Sequence, residues 1–263
     1  MITKKPRLLI PRRKFITGAA ALIGYAALPI PALALLQSNQ LVGFGVSVAS
    51  AAATVTFTDS SVDATDATTY TFSTQSIGTA SADRKVVVAA DTAGGAASAD
   101  GISSMTIAGE SATQVIATIA PLGDETQVEL WQADVPTGTT ADIVVTWNGA
   151  HGRCGISVWG VTGALSAATD TLEDNSSTTA ETGTIDVPAG GVLIAAVVHT
   201  ATGTKTHAWT GPTEAYDEEV ETNVGHGGAS AAYAAAQTGL TVTATFSAAV
   251  DQGAMVAASW GPA

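Results

Sequence analysis

Behind residue 50 the chain repeats much of its own text. Arg84-Lys-Val-Val-Val-Ala-Ala90 aligns with Gly191-Val-Leu-Ile-Ala-Ala-Val197, and Met105-Thr-Ile-Ala-Gly109 falls opposite Ala208-Trp-Thr-Gly211. Glu129-Leu-Trp-Gln-Ala133 meets Ala231-Ala-Tyr-Ala-Ala235. Ile143-Val-Val-Thr-Trp147 meets Val242-Thr-Ala-Thr-Phe246, and Gly155-Ile-Ser-Val-Trp-Gly160 meets Val256-Ala-Ala-Ser-Trp-Gly261, all in the same order. A unit of about a hundred residues is the size of one β-sandwich domain and far longer than a solenoid repeat.

The text of each copy supports that size. Short apolar runs recur at 54–58, 69–73, 84–90, 104–108, 113–120, 127–133, 142–147 and 154–161, then at 183–187, 192–199, 206–210, 228–235, 240–246 and 255–260. Turn signals separate them: Gly94-Gly95, Pro136-Thr-Gly138, Asn148-Gly149, Pro188-Ala-Gly-Gly191, Gly211-Pro212 and Gly227-Gly228. Many short strands punctuated this way predict a sandwich or barrel. The expected fold is all-β: two similar jelly-roll or immunoglobulin-like sandwiches over 51–166 and 167–263, joined by a Ser/Thr/Asp-rich connection at 162–182. Segment 1–50 stands before them as a short helix or extended anchor.

Charge divides the chain at the same place. Six of the ten basic residues are Lys4, Lys5, Arg7, Arg12, Arg13 and Lys14, and no acidic residue precedes Asp59. Behind residue 14, four basic residues face 23 acidic ones, a formal charge of −19. So acidic a body cannot neutralise phosphates, which argues against nucleic acid as a partner. Arg12-Arg13-Lys14-Phe15-Ile16, an apolar stretch and Ala32-Leu33-Ala34 together form an export-signal layout of the twin-arginine kind, with a cleavage point after Ala34. Pro29 and Pro31 cut the apolar run short of the ~20 residues a membrane helix needs. We therefore read the segment first as a retained anchor carried by Arg12, Arg13, Lys14 and Phe15, with a helix over 14–28, and second as a cleaved signal.

Little of the rest points to chemistry. No Gly-x-Ser-x-Gly elbow, His-Glu-x-x-His pair or phosphate loop occurs, and no cofactor is expected. Cys154 cannot form an intramolecular disulfide and reads as a small buried hydrophobe. His151 and His226 lie in Gly-rich text that reads as turns. His199 and His207 flank a presumed hairpin and could hold a metal only with an acidic neighbour. Two carboxylate runs, Asp217-Glu218-Glu219 with Glu221 and Asp170 with Glu173-Asp174, read as solvated loops rather than calcium ligands. Trp131, Trp147, Trp159 and Trp260 recur at repeat positions and suit core plugs. Trp209 has no aromatic counterpart, and with Tyr216 and Asp217 it is the one candidate ligand surface.

Several of these stretches carry a resemblance. Arg12-Arg-Lys-Phe-Ile-Thr-Gly18 is similar to the start of small structural proteins in tailed bacteriophages and prophages of alphaproteobacteria. Val135-Pro-Thr-Gly-Thr-Thr-Ala-Asp-Ile-Val-Val-Thr-Trp147, Arg153-Cys-Gly-Ile-Ser-Val-Trp159, Trp209-Thr-Gly-Pro-Thr-Glu-Ala-Tyr-Asp217 and Ala257-Ala-Ser-Trp-Gly-Pro-Ala263 resemble β-rich modules of their fibre and tail-associated proteins. The resemblance implies a non-enzymatic virion protein, a fibre, spike or decoration subunit of head or tail. Its expected partners are other virion proteins at the N-terminal segment, further copies of itself, and host surface glycans. The alternative is a twin-arginine-exported binding protein of the bacterial periplasm or cell surface.

Overall fold

The computed structural model describes residues 50–93, 101–120, 126–175, 179–203 and 205–263. The anchor residues Arg12, Arg13, Lys14 and Phe15 and the helix expected over 14–28 lie outside them. The described body contains strands only, β1 to β17.

The first repeat holds β1 (Thr54–Asp63), β2 (Ala67–Ser76), β3 (Lys85–Thr92), β4 (Ile102–Ile107), β5 (Glu110–Ser111), β6 (Thr113–Ile119), β7 (Gln127–Asp134), β8 (Thr140–His151) and β9 (Cys154–Thr162). They form a five-stranded sheet, β1-β9-β3-β7-β6, and a four-stranded one, β2-β8-β4-β5. The second repeat holds β10 (Asp170–Asp174), β11 (Ala180–Val187), β12 (Gly191–Thr200), β13 (His207–Thr210), β14 (Thr213–Glu221), β15 (Val224–Tyr233), β16 (Gln237–Phe246) and β17 (Gln252–Trp260). Its sheets are β10-β17-β12-β15-β14 and β11-β16-β13. Strand for strand the order is the same, and only the two-residue β5 lacks a counterpart. All the pairings are antiparallel.

The two five-stranded sheets pack against each other, so the body is a stack of four layers. Alternation along β3 shows why. Val86, Val88 and Ala90 face the first repeat's outer sheet, while Val87 and Ala89 face the second repeat. On β12, Leu193, Ala195 and Val197 face the second outer sheet, and Val192, Ile194, Ala196 and Val198 face the first repeat. Strands covered on both sides need apolar residues at every position, which is what Lys85-Val-Val-Val-Ala-Ala90 and Gly191-Val-Leu-Ile-Ala-Ala-Val197 provide. In the stack β1 lies against β14 and β15, and β6 against β10 and β17. Each sheet's first edge thus covers the other's last edge, as in a two-fold pairing of like subunits.

Three expectations are corrected. The connection placed at 162–182 contains β10 and the start of β11, so the true link is 163–169. The acidic runs are strands rather than loops: Asp170, Glu173 and Asp174 sit on β10, and Asp217, Glu218, Glu219 and Glu221 on β14. Both are edge strands, where charge discourages pairing with foreign strands. Finally, Asn148-Gly149 and Gly227-Gly228 lie within β8 and β15 rather than in turns.

Trp159 and Trp260 occupy matching positions of the central core. Trp159 pairs with Val87 across β9 and β3, Trp260 with Val192 across β17 and β12, and both are fully buried. Trp→Ala at either should cost about 3–5 kcal/mol. The conservative Phe change should separate them. Trp260 Nε1 donates to Gln132 Oε1 at 3.0 Å, whereas Trp159 Nε1 has no hydrogen-bond partner. Trp260→Phe should therefore lose more stability than Trp159→Phe in urea unfolding, and equal losses would contradict that difference.

Candidate functional site

Buried polar side chains, not a cleft, are the conspicuous chemistry of this body. The first group bridges the two repeats. His226 on β15 is fully buried and places Nδ1 2.9 Å from Asp91 Oδ2 on β3; its Nε2 lies 3.7 Å from Glu218 Oε2 on β14. Burial alone would depress the imidazole's pKa. The carboxylates of Asp91 and Glu218 outweigh that and raise it to about 9, so the ring is cationic at neutral pH. The His226 ring facing it holds the Glu218 pKa below its usual value, and Ser60 of β1 donates to the same carboxylate at 2.7 Å. Beside them Tyr216 packs edge-on to His226 and shares a 2.8 Å hydroxyl bond with Ser157 of β9. Burial pushes that phenol well above its ordinary range.

The second group lies within the second repeat. His207 meets Asp217 through Nδ1 at 2.8 Å and His199 Nδ1 through Nε2 at 2.9 Å. Burial, and then the neighbouring His207, push the His199 pKa down to about 3, so its ring is neutral. Burial opposes ionisation of Asp217, but hydrogen bonds from His207 bring its pKa below normal. His199 and His207 are not the two ends of a hairpin. They stand on strands of different sheets, and the ring of Phe246 packs against both.

The third and fourth groups belong to the first repeat. Glu129 is fully buried and accepts four hydrogen bonds, from Ile102 N, Gln127 Nε2, Gln114 Nε2 and Trp131 Nε1, at 2.7–3.0 Å. Arg84 is 1% exposed and donates to three carbonyls: Val135 at 2.8 Å, Gly78 at 2.7 Å and Thr137 at 2.7 Å.

The candidate ligand surface is not assembled. Tyr216 is 7% exposed and belongs to the central core, so its neighbour Asp217 points elsewhere and is held by His207. Trp209 is half-buried against the second repeat's outer core. Among the described residues no group of three or more His, Cys, Asp or Glu could hold a metal ion. Cys154 is buried, and burial raises its thiol pKa well above normal.

The sequence names His199 with His207, and Tyr216 with Asp217, but does not join the two pairs, and it points to neither Glu129 nor Arg84. Glycine carries a usable signal for the buried rings. A Cβ at Gly225 would lie 2.4 Å from His199 Cε1, at Gly227 2.6 Å from His207 Nδ1, and at Gly228 2.3 Å from Tyr216 Cε1. Glycines inside a strand mark such close approaches. Here they mark the buried rings, His226 sits in the same glycine-rich run, and neither glycines nor histidine belongs to a turn. No family model, curated protein or solved structure matches the chain.

Proposed function

We propose that the protein is a non-catalytic virion subunit, a fibre, spike or decoration protein of a tailed bacteriophage, whose basic N-terminal segment docks it to other virion proteins. One observation carries the non-catalytic part. The buried His and acidic groups that the fold brings together are used on the protein itself: Glu129 on four donors, His226 with Asp91 across the repeats, and His207 with Asp217. A body so internally tied suits rigid display. The outer sheet β11-β16-β13 also presents a hydroxyl face, with Thr182, Thr184, Thr241 and Thr245 exposed and the Thr182 and Thr243 hydroxyls 2.7 Å apart. The virion assignment rests on the sequence resemblance, and the docking role on six basic residues ahead of a body of charge −19.

Deletion of residues 1–36 should leave a soluble body with unchanged strand content that no longer enters particles. Mass spectrometry of purified virions should find the chain starting ahead of Leu35. A truncated chain that still assembles sinks the docking role. A mature chain beginning at Leu35 in the exported fraction overturns the proposal in favour of an exported binding protein.

A further inference from the structure

Arg84 is a buried cation without a counter-ion. Buried charges are ordinarily paired with an opposite charge. Among the described residues Arg84 has only the three carbonyls, and desolvation pulls its pKa down. Three of its five N–H groups are engaged, which leaves two. Arg84 lines a groove of about 370 Å³, between the face of β1 turned away from the central core and the loop 78–81. That volume is at the lower end of what small-ligand sites occupy.

The walls are hydroxyls set by strand register. Thr54 pairs with Thr162 and Thr56 with Gly160, and all four line the groove. The Thr54 and Thr162 hydroxyls bond each other at 2.7 Å, and Thr58 donates to the Ser76 carbonyl at 2.8 Å. A threonine that donates inward still offers lone pairs outward. The adjacent acid in the chain, Asp83, already accepts from Ser81 Oγ and Gly163 N.

The second repeat supplies an internal control. Counting from Val87/Trp159 and Val192/Trp260, Arg84 corresponds to Ala189 and Gly160 to Gly261. There the corner is a Pro188-Ala-Gly-Gly191 turn, closed by a 2.9 Å bond from Gly191 N to Pro188 O, with no cation. A Cβ at Gly261 would meet the Pro188 and Leu165 side chains at about 3.3–3.4 Å, where one at Gly160 would meet the Ile77 carbonyl oxygen at 3.3 Å. The shared fold therefore does not require the arginine.

We propose that this groove binds an acidic sugar unit, with the carboxylate or sulfate on the free Arg84 N–H groups and the ring hydroxyls donating to Thr54, Thr56, Thr58 and Thr162. A guanidinium recognises planar oxyanions through paired donors, and a row of threonine oxygens accepts from a polyol. The site is independent of where the protein resides.

The test is calorimetric titration of the full chain with glucuronate, glucose and inorganic sulfate. Glucuronate should bind with a Kd of about 1 mM or tighter, glucose at least about tenfold more weakly, and sulfate should compete. Arg84→Met should abolish binding. Because that variant also loses three carbonyl bonds, Thr56→Val serves beside it. It should keep the parent's melting temperature to within a few degrees and weaken glucuronate about tenfold, which corresponds to about 1.4 kcal/mol. No heat with glucuronate at about 10 mM, equal affinity for glucose, or unchanged binding in Thr56→Val would each overturn the proposal. Sulfate that binds without glucuronate doing so would also overturn it, since the site would then read a bare oxyanion and not a sugar.

Discussion

Replacing Glu129 by alanine should cost the protein about 4 kcal/mol or more. The carboxylate is fully buried and satisfies a backbone N–H, two glutamine amides and an indole N–H at once. A buried donor left without a partner costs about 1–3 kcal/mol, and here four are released together. That loss is a large share of the 5–15 kcal/mol typical of a folded domain. Glu129→Gln is the sharper test because it keeps the volume. Each carboxylate oxygen receives two donors, so whichever becomes NH₂ is turned towards hydrogens. We expect a loss of about 2 kcal/mol or more in urea unfolding. A change below about 1 kcal/mol would mean that the four donors do not depend on the charge.

The second large effect is expected at His226, and it carries a pH signature. The folded ring holds its proton up to about 9, whereas an unfolded histidine releases it near 6.5. Its contribution is therefore complete below pH 6.5 and is lost as pH rises through about 9. His199 acts in the opposite sense. Folded, it stays neutral down to about 3, so the unfolded chain binds the proton first and stability falls as pH drops below 6.5. The lowered pKa values of Glu218 and Asp217 add to that acid loss below about pH 4. Stability should accordingly peak near pH 6–7. His226→Ala should cost about 3–5 kcal/mol at pH 7, because Asp91 is left buried and unpaired. It should also flatten the alkaline arm. Removing both charges, as Asp91→Leu with His226→Leu, should recover part of that loss. A His226→Ala variant whose stability still declines between pH 7 and 9 would assign the alkaline arm to another group.

Much of the frame was legible because burial on both faces leaves a mark on sequence. The runs at Arg84 and Gly191 are apolar at consecutive positions, and only a sheet covered on both sides needs that in short strands. The aligned pairs Trp147/Phe246 and Trp159/Trp260 land on matching strands. The aligned runs Arg84–Ala90 and Glu129–Ala133 each lie two residues from their structural register, a shift that keeps each side chain on its own face. What was missed has a common cause. Thr213–Glu221 and Asp170–Asp174 are edge strands whose outward residues meet water, so no apolar alternation announces them. Gly225, Gly227 and Gly228 were read as turn residues because composition does not distinguish a glycine that bends the chain from one that makes room for a ring. The buried ionic groups have no period at all. Glu129 and its counterpart Ala229 share a strand position, but only the three-dimensional surroundings say which needs four donors.

The two inner sheets meet edge over edge, as like subunits do, and their only covalent tie through this region is the link 163–169. Nothing in the contact itself distinguishes a partner from the same chain from one on a neighbouring chain. The tether decides by holding the proper partner at an effective concentration in the millimolar range for a short linker. Crowding many copies onto one surface raises the competing concentration. A hinge shortened below the span it must cover would then exchange repeats between molecules, giving a reciprocally swapped dimer with the same four layers. The fold thus contains its own cross-link, kept silent by the seven residues between Thr162 and Asp170, which are themselves tied back to Ser259 and Gly261 by hydrogen bonds from Thr169 N and Leu165 N.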